Sequence, residues 1–524
     1  MTTGMHHHLI AGKDVASPAS FESRNPSRQD DLVGVFPEAT LDQVRLACDV
    51  ARSAYVVWRT TPAPIRGQII GQIGRAIERE KEPLSRLMSR EMGKTLKEAR
   101  GDVQEAIDTC HFFQSEGRRL YGQTVPSEMR NKELMTYRRP LGVVGVITAG
   151  NFPVAVPSWK LIPALLTGNT IVWKPSEDAP TTAYALARLF EEGGLPDGVL
   201  NVVFGGGAGA AGEFLVEMLD EHRLDKIAFT GSTAVGRHIG AIAGRNLTHP
   251  TLELGGKNPM IVMRDADLDN AVVGALWAAF GTAGQRCTSL GNLILDEPIA
   301  AAFQERFLAA VATIKIGDPG RFDDVLYGPF MNERFYHAWH AHYDWGRADG
   351  ATLAYGRGRI TAENRPTGFR GDPDSGLYGW PTVWTDVRPG MRIFQNETFG
   401  PTVNLVTVDG IDEAIAVANG VDYGLSSAIY TQNRLWAYTF KENIQAGMSS
   451  INNSTTGAEA HMPFGGIKGS GNGTRESGIW VLDHYTYWHG VNDELSGKLQ
   501  LAQMDTEYGQ MRAPYRVAQL ADPR

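Results

Sequence analysis

The chain has 524 residues, which at ~150 residues per domain implies roughly three to four domains rather than one small module. Hydrophobic residues make up 42% and charged residues 21%, and 50 Lys+Arg against 59 Asp+Glu leave a net charge of −9. That balance carries no basic block to grip nucleic acid, no run reaches the ~20 uninterrupted apolar residues of a spanning helix, and the start of the chain lacks an apolar secretory core, so a cytoplasmic globular enzyme is expected.

In chain order, His6, His7 and His8 come first; adjacent histidines lack the spacing of a structured metal site, so they read as a polar leader or tag remnant and no metal is expected. Residues 41–122 carry apolar positions at helical spacing, as at Ile69, Ile70, Ile73 and Ile77 and again at Leu84, Leu87 and Met88, which predicts several amphipathic helices. From Lys132 the texture turns extended, and Val143 to Thr148 has the β-branched character of a buried strand. The longest apolar stretch, Leu141 to Trp159, is interrupted by Asn151, Pro153 and Pro157. Strands then alternate with helices: 170–173 before a helix near Pro180, 199–204 before one near Ala210, 227–229 before one near Thr233. Such alternation implies right-handed crossovers and a mostly parallel α/β sheet. A second α/β stretch spans about 259–469, with a helix over 267–280, a strand over 291–295 and a helix over 299–314. A Gly- and Pro-rich segment, 355–381, reads as a long surface loop, and 484–491 as an aromatic strand. After Leu495 a tail carries Leu499, Leu501, Met504, Tyr508, Met511 and Tyr515, more apolar anchors than a solvated terminus needs, and is expected to pack on a subunit surface.

Candidate chemistry gathers at strand ends. Gly207 to Gly212 matches a dinucleotide fingerprint literally, yet 59 glycines make chance matches easy, and a plain Gly-rich turn explains it as well. Gly231 and Ser232 in FTGST end a strand directly before a helix, where free N–H groups suit a pyrophosphate or a serine simply caps the helix. Three cysteines, Cys48, Cys110 and Cys287, cannot all pair in one chain, which points away from a disulfide scaffold. Cys287 lies among glycines 281 and 284, where backbone passes close to a ligand; the alternative is a buried small hydrophobe. Glu253 stands alone between apolar residues, as a buried general base or a salt-bridged strand residue would. Asn151 follows a strand and precedes Pro153, fitting an oxyanion donor or a turn asparagine. Lys174 and Glu177 end another strand, as ribose-binding residues do, and Glu397 and Phe399 offer a carboxylate and a ring for a second ribose and a nicotinamide.

Together these residues resemble the aldehyde dehydrogenase superfamily, through GNFP at 150, KPSE at 174, FTGS at 229, LELGGKNP at 252, GQRC at 284, ETFGP at 397 and PFGGIKGSG at 463, all in family order. The resemblance implies an α/β fold: a Rossmann-like NAD(P)-binding domain over 1–123 and 142–255, an α/β catalytic domain over 256–469, a β-strand oligomerisation arm over 124–141 and 470–494, and an extension over 495–524. It implies a catalytic set of Cys287, Glu253, Asn151 and Lys174. Contacts to NAD, with NADP possible, would come from Thr148, Lys174, Ser176, Glu177, Gly207, Gly231, Ser232, Gly255, Glu397 and Phe399. Phe152, Trp159, Arg286, Thr288 and Phe464, with Asn151, would bind the aldehyde.

The implied reaction is oxidation of an aldehyde to the acid through a cysteine thiohemiacetal and thioester, hydrolysed by water that Glu253 activates, in a homodimer or homotetramer. The rivals are a relative that passes the acyl group to coenzyme A, which usually lacks that glutamate, and an idle structural member. One departure is Gly150, where an aromatic commonly precedes the asparagine, so a smaller wall near the substrate entrance is expected. Asn396, where an acidic residue is usual, is expected to matter little.

Overall fold

The computed structural model describes residues 4–206, 209–499 and 512–521. Four helices lead: α1 (Leu41–Trp58), α2 (Ala63–Arg79), α3 (Lys81–Met92) and α4 (Leu96–Glu116). Thr40 starts α1 with a reciprocal capping box to Gln43, and the Thr95 hydroxyl accepts the Glu98 N–H at the start of α4, satisfying donors that a helix end leaves free. Cys48 in α1 and Cys110 in α4 are fully buried, and burial raises both thiols, Cys48 to about 12, as inert packing groups require.

Behind these helices stands a seven-stranded sheet in the order Thr251–Glu253, Lys226–Thr230, Val143–Ile147, Thr170–Lys174, Leu200–Val202, His8–Ile10, Lys13–Val15. The first five are parallel, and the last two add antiparallel. Crossovers run through α5 (Ala155–Thr167), α6 (Pro180–Glu192), α7 (Ala211–Glu217) and α8 (Thr233–Arg245). The chain moves outward from Val143–Ile147 on one side, then returns to pair Lys226–Thr230 on the other. A topological switch point therefore opens at the carboxyl ends of those two strands, where open α/β sheets bind ligands.

One predicted feature differs, and two observed elements were not foreseen. His8 is no polar leader: it is a buried strand residue whose Nδ1 accepts the Phe204 N–H, and His6 stacks on Phe36. The stretch broken by prolines holds α5, which starts two residues after Pro153 and is buried along its whole length; Pro157 falls in the first turn, where no intrahelical N–H is required. The hairpin Ser20–Asn25 with Arg28–Pro37 had no expectation.

A second seven-stranded sheet runs Thr352–Tyr355, Thr382–Thr385, Thr402–Val408, Leu290–Asp296, Asn258–Val262, Ser426–Tyr430, Met448–Ile451, parallel except at its first strand. It is packed by α9 (Leu268–Phe280), α10 (Glu297–Val311) and α11 (Glu333–Ala348). The long loop is pinned over this core by buried Ile360, Tyr378 and Trp380. A separate three-stranded sheet joins Thr486–Glu494, Lys132–Pro140 and Thr124–Val125, with Tyr137, Tyr487 and Trp488 exposed. Of the tail's apolar anchors, Leu499 and Tyr515 are exposed; Leu501, Met504, Tyr508 and Met511 lie outside the described residues.

Buried charge joins α4 to α5. Lys94 Nζ donates to Asp102 Oδ2 at 2.7 Å, both side chains wholly buried, while Asp102 Oδ1 accepts the Ala155 N–H at 2.6 Å. Asp102→Asn keeps an acceptor for α5 but leaves the Lys94 ammonium uncompensated, so it should destabilise the protein by about 3–5 kcal/mol. A lowered denaturant midpoint checks this, and an unchanged midpoint would refute it.

Candidate active site

At the switch point lies a cavity of about 690 Å³ lined by Asn151, Gly231, Glu253, Cys287, Glu397 and Phe464 among others. It brings together residues from the first large sheet, from α4, α5 and α9, and from loops beside the second sheet.

Cys287 follows an unusual turn. Thr282, Ala283 and Gly284 have φ of 50°, 54° and 71°, and the two non-glycine residues cost about 1–3 kcal/mol each there. Several bonds hold the turn. Thr282 Oγ1 donates to Glu98 Oε1 at 2.8 Å, Arg286 Nε donates to Thr282 Oγ1 at 3.1 Å, and the Arg286 guanidinium pairs with Glu98, both buried. Gln285 Nε2 donates to the Thr282 and Pro329 carbonyls. Beyond the turn, Asn258 Nδ2 donates to the Cys287 carbonyl at 2.8 Å. Burial, with Glu397 and Glu253 adding to it, pushes the Cys287 thiol up to about 12.

Glu253 ends the strand Thr251–Glu253, is 4% exposed, and neither carboxylate oxygen has a hydrogen-bond partner. Burial and the neighbouring Glu476 raise its pKa well above the ordinary carboxylate range, as a general base working near neutrality needs. Glu476 in turn pairs with Lys160 of α5, both wholly buried. Asn151 is buried and donates one amide N–H to the Gln285 carbonyl at 3.1 Å; its NH₂ group has a second donor.

On the expected cofactor side, Gly231, Ser232, Gly255, Glu397 and Phe399 line the cavity. Ser232 caps α8, whose first N–H groups have no intrahelical acceptor. Beside it the Thr230 hydroxyl is buried without a partner. Glu397 Oε1 accepts the Gly256 N–H at 3.0 Å, and a Cβ on Gly255 would run into its carboxylate. Burial moves Glu397 up to about 7, opposed by that N–H and by Lys257.

Thr148, Lys174, Ser176 and Glu177 stand outside the cavity lining. The Thr148 hydroxyl accepts the Trp173 indole N–H at 3.0 Å, and Ser176 bonds Asp178. Lys174, expected in catalysis as well as cofactor binding, donates to Glu177 Oε2 at 3.2 Å. Burial opposes ionisation of Glu177, but Lys174 and its own N–H outweigh it and hold the carboxyl low. Gly207 lies outside the described residues; the neighbouring Gly206 N–H is already taken by the Glu38 carboxylate at 3.0 Å.

On the expected substrate side, Phe152, Trp159, Arg286, Thr288 and Phe464 line the cavity. The Trp159 and Phe464 rings lie 4.7 Å apart, and Lys94 Nζ sits 3.6 Å over Phe152. The smaller wall expected at Gly150 is not found: a Cβ there would come within 2.7 Å of Asp178 Cβ and 3.0 Å of Ser176 Oγ, so those side chains fill the space. Sequence reasoning missed Glu98, Glu105, Lys160, Trp277 and Glu476. The available signal was acidic residues at 98, 102 and 105 recurring on one helix side with Ala99, Val103 and Ala106, where charge is expected only if paired or functional.

Known proteins resemble this chain along nearly its whole length. Residues 14–491 match the model of the aldehyde dehydrogenase family. An alpha-ketoglutarate semialdehyde dehydrogenase of Haloferax volcanii is 38% identical, over 90% of this chain and 95% of that protein. An alpha-ketoglutaric semialdehyde dehydrogenase of Bacillus subtilis is 37% identical, over 88% and 92%. Among solved structures, an NAD-dependent aldehyde dehydrogenase from Sinorhizobium meliloti superposes with a TM-score of 0.89 at 34% identity, covering 95% of this chain and 96% of that one. A betaine aldehyde dehydrogenase from Staphylococcus aureus in complex with NAD+ does so at 0.89 and 32%, covering 94% and 96%. The chain belongs to the aldehyde dehydrogenase family and is an oxidoreductase acting on an aldehyde group.

Proposed function

We propose that the cavity oxidises an aldehyde to its carboxylic acid through a thioester on Cys287. The observation that carries this is the convergence of Cys287, the Asn151 amide and an unpartnered Glu253 carboxyl on one cavity. The Cys287 sulfur adds to the carbonyl carbon as its thiol proton passes to solvent water, leaving a thiohemiacetal oxyanion. The oxyanion is held by the free Asn151 amide N–H and the Cys287 backbone N–H; loss of one such donor typically costs ~3–4 kcal/mol of transition-state stabilisation. NAD, when bound, supplies the hydride acceptor, and loss of hydride from the thiohemiacetal carbon leaves the thioester. Glu253 then takes a proton from water, which attacks the acyl carbon and releases the acid and Cys287.

The residues present fit a dinucleotide. The unpartnered Thr230 hydroxyl, the N-terminus of α8 and the Gly255–Gly256 approach to Glu397 offer donors and close backbone. Glu177 and Lys174 would hold the adenosine ribose, and the Glu177 carboxylate would repel a 2′-phosphate. The first large sheet with α1–α8 is read as the cofactor part and the second as the catalytic part. The three-stranded sheet, with its exposed aromatic residues, is read as the arm that joins subunits into a dimer or tetramer.

Cys287→Ala should abolish NADH formation. Glu253→Gln should release about one equivalent of NADH per site and then stall as an acyl adduct seen by intact mass, whereas full turnover in that variant would show the base misassigned. In the wild type, a base whose pKa is raised ionises only as pH climbs above the ordinary carboxylate range. The thioester hydrolysis rate should therefore rise with pH there, and a rate flat from pH ~6 to ~9 would contradict the role. Glu177→Gln should lower the NAD-to-NADP ratio of kcat/KM by about tenfold, and an unchanged ratio would remove Glu177 from cofactor choice.

A further inference from the structure

A cation stands at the expected adenosine end of the cofactor site without a role in the reaction above. It is Arg334, in the first turn of α11, where the helix dipole favours anions and disfavours a positive charge. That turn is tied across to the loop after the strand Thr170–Lys174: Asn332, which caps α11, donates its side-chain N–H to Asp178 Oδ1 at 2.6 Å. Arg334 Nη2 lies 3.9 Å from Glu177 Oε1 and 3.8 Å from Asp178 Oδ2, while Lys174 Nζ donates to the other Glu177 oxygen at 3.2 Å. Two cations therefore flank one carboxylate, one at each oxygen. The same guanidinium sits 4.9 Å from the centroid of the Phe335 ring. Phe335 lines the cavity and packs against Phe399, with ring centroids 4.9 Å apart. Arg334 thus joins the Lys174–Glu177 pair to a wall of the cavity.

We propose that Arg334 is a specificity-determining residue that lets this site accept the 2′-phosphate of NADP beside Glu177. The inference rests on the reading of Lys174 and Glu177 as the adenosine-ribose pair, and deepens it by naming the group that opposes Glu177 in cofactor choice. Arg334 can be recruited easily. Its side chain is 67% exposed and its carboxylate contacts exceed hydrogen-bond length, so leaving them costs little. Glu177 keeps its charge without it, because Lys174 does more than Arg334 to hold that carboxyl low. A phosphate monoester carries about −1.5 to −2 charge near neutrality and presents three acceptor oxygens. A guanidinium grips such a group through two parallel N–H donors, and Lys174 adds a point charge from the other oxygen of the same carboxylate. NAD offers only a neutral hydroxyl at that position, which Glu177 and Lys174 satisfy between them. Glu177 and Arg334 therefore act with opposite sign on the choice: one rejects the phosphate and the other compensates.

The test measures Kd by calorimetry for NAD and for NADP on the whole protein without aldehyde, in the wild type and in Arg334→Gln, Arg334→Lys and Glu177→Gln. Arg334→Gln should weaken NADP by at least about tenfold, the loss expected for a charge-assisted pair, and NAD by less than about threefold. Arg334→Lys keeps the charge without the planar fork and should fall between the wild type and Arg334→Gln for NADP. NADP affinity should also drop more steeply with salt than NAD affinity in the wild type, and Arg334→Gln should narrow that difference. A misfolded fraction lowers the stoichiometry for both cofactors alike and leaves the ratio of their Kd values intact. No measurable NADP binding by the wild type would overturn the proposal. So would a ratio that Arg334→Gln leaves unchanged, whether neither affinity moves or both fall together as a pyrophosphate contact would make them. If Glu177→Gln shifts the ratio toward NADP in that case, only the Arg334 role is lost; if Glu177→Gln leaves the ratio unchanged as well, the placement of the ribose at Lys174 and Glu177 fails with it.

Discussion

The left-handed turn over Thr282–Gly284 is the constraint on which the site is built. A β-branched threonine and an alanine do not hold φ near 50° unaided, so the turn persists because Glu98 takes the Thr282 hydroxyl and the Arg286 guanidinium together. Glu98 lies on α4 and the turn follows α9, so one buried carboxylate couples the helical layer at the start of the chain to the segment that carries Cys287. Asn151 ties the switch-point loop of the first sheet to the same segment through the Gln285 carbonyl. The first sheet's switch-point loop and the segment leading to the second sheet thus meet at a peptide run of a few residues, and the sulfur of Cys287 sits at its end.

Charge around the sulfur is arranged in closed pairs with selected groups left over. Glu98 with Arg286, Asp102 with Lys94 and Glu476 with Lys160 are buried couples that carry little net field outward. Glu253 and Glu105 have no such partner, and burial raises both. A carboxyl without a cation can take up and give back a proton, whereas one locked to a cation is held ionised. That contrast separates the structural from the chemical carboxylates in this cavity more clearly than position in the sequence does.

Much of the site was legible because its residues end strands in compact motifs. Asn151 after Val143–Ile147, Ser232 after Lys226–Thr230 and Glu253 at the end of Thr251–Glu253 announce themselves by glycine and proline neighbours and by a strand-to-helix change of period. Glu98, Lys160 and Glu476 did not, since each sits within a helix or an irregular loop and acquires meaning only from a partner far away in the chain, as Glu98 does from Arg286 and Lys160 from Glu476. His8 failed for a related reason: three histidines carry no strand signal, and the burial of His8 depends on pairing Leu9 with Val202 across the sheet. Gly150 shows the opposite error, in which a small residue suggested space that Asp178 and Ser176 occupy.

The central claim is that an acyl group rests on Cys287 with its oxygen toward Asn151 while Glu253 faces the acyl carbon. A crystal structure of the Glu253→Gln protein, soaked with NAD and an aldehyde and frozen at the stall, tests it most directly. The account expects continuous density from Cys287 Sγ to the acyl carbon, with the acyl oxygen within hydrogen-bond distance of Asn151 Nδ2. Density ending at an unmodified Sγ, or an adduct on any other side chain, would contradict it.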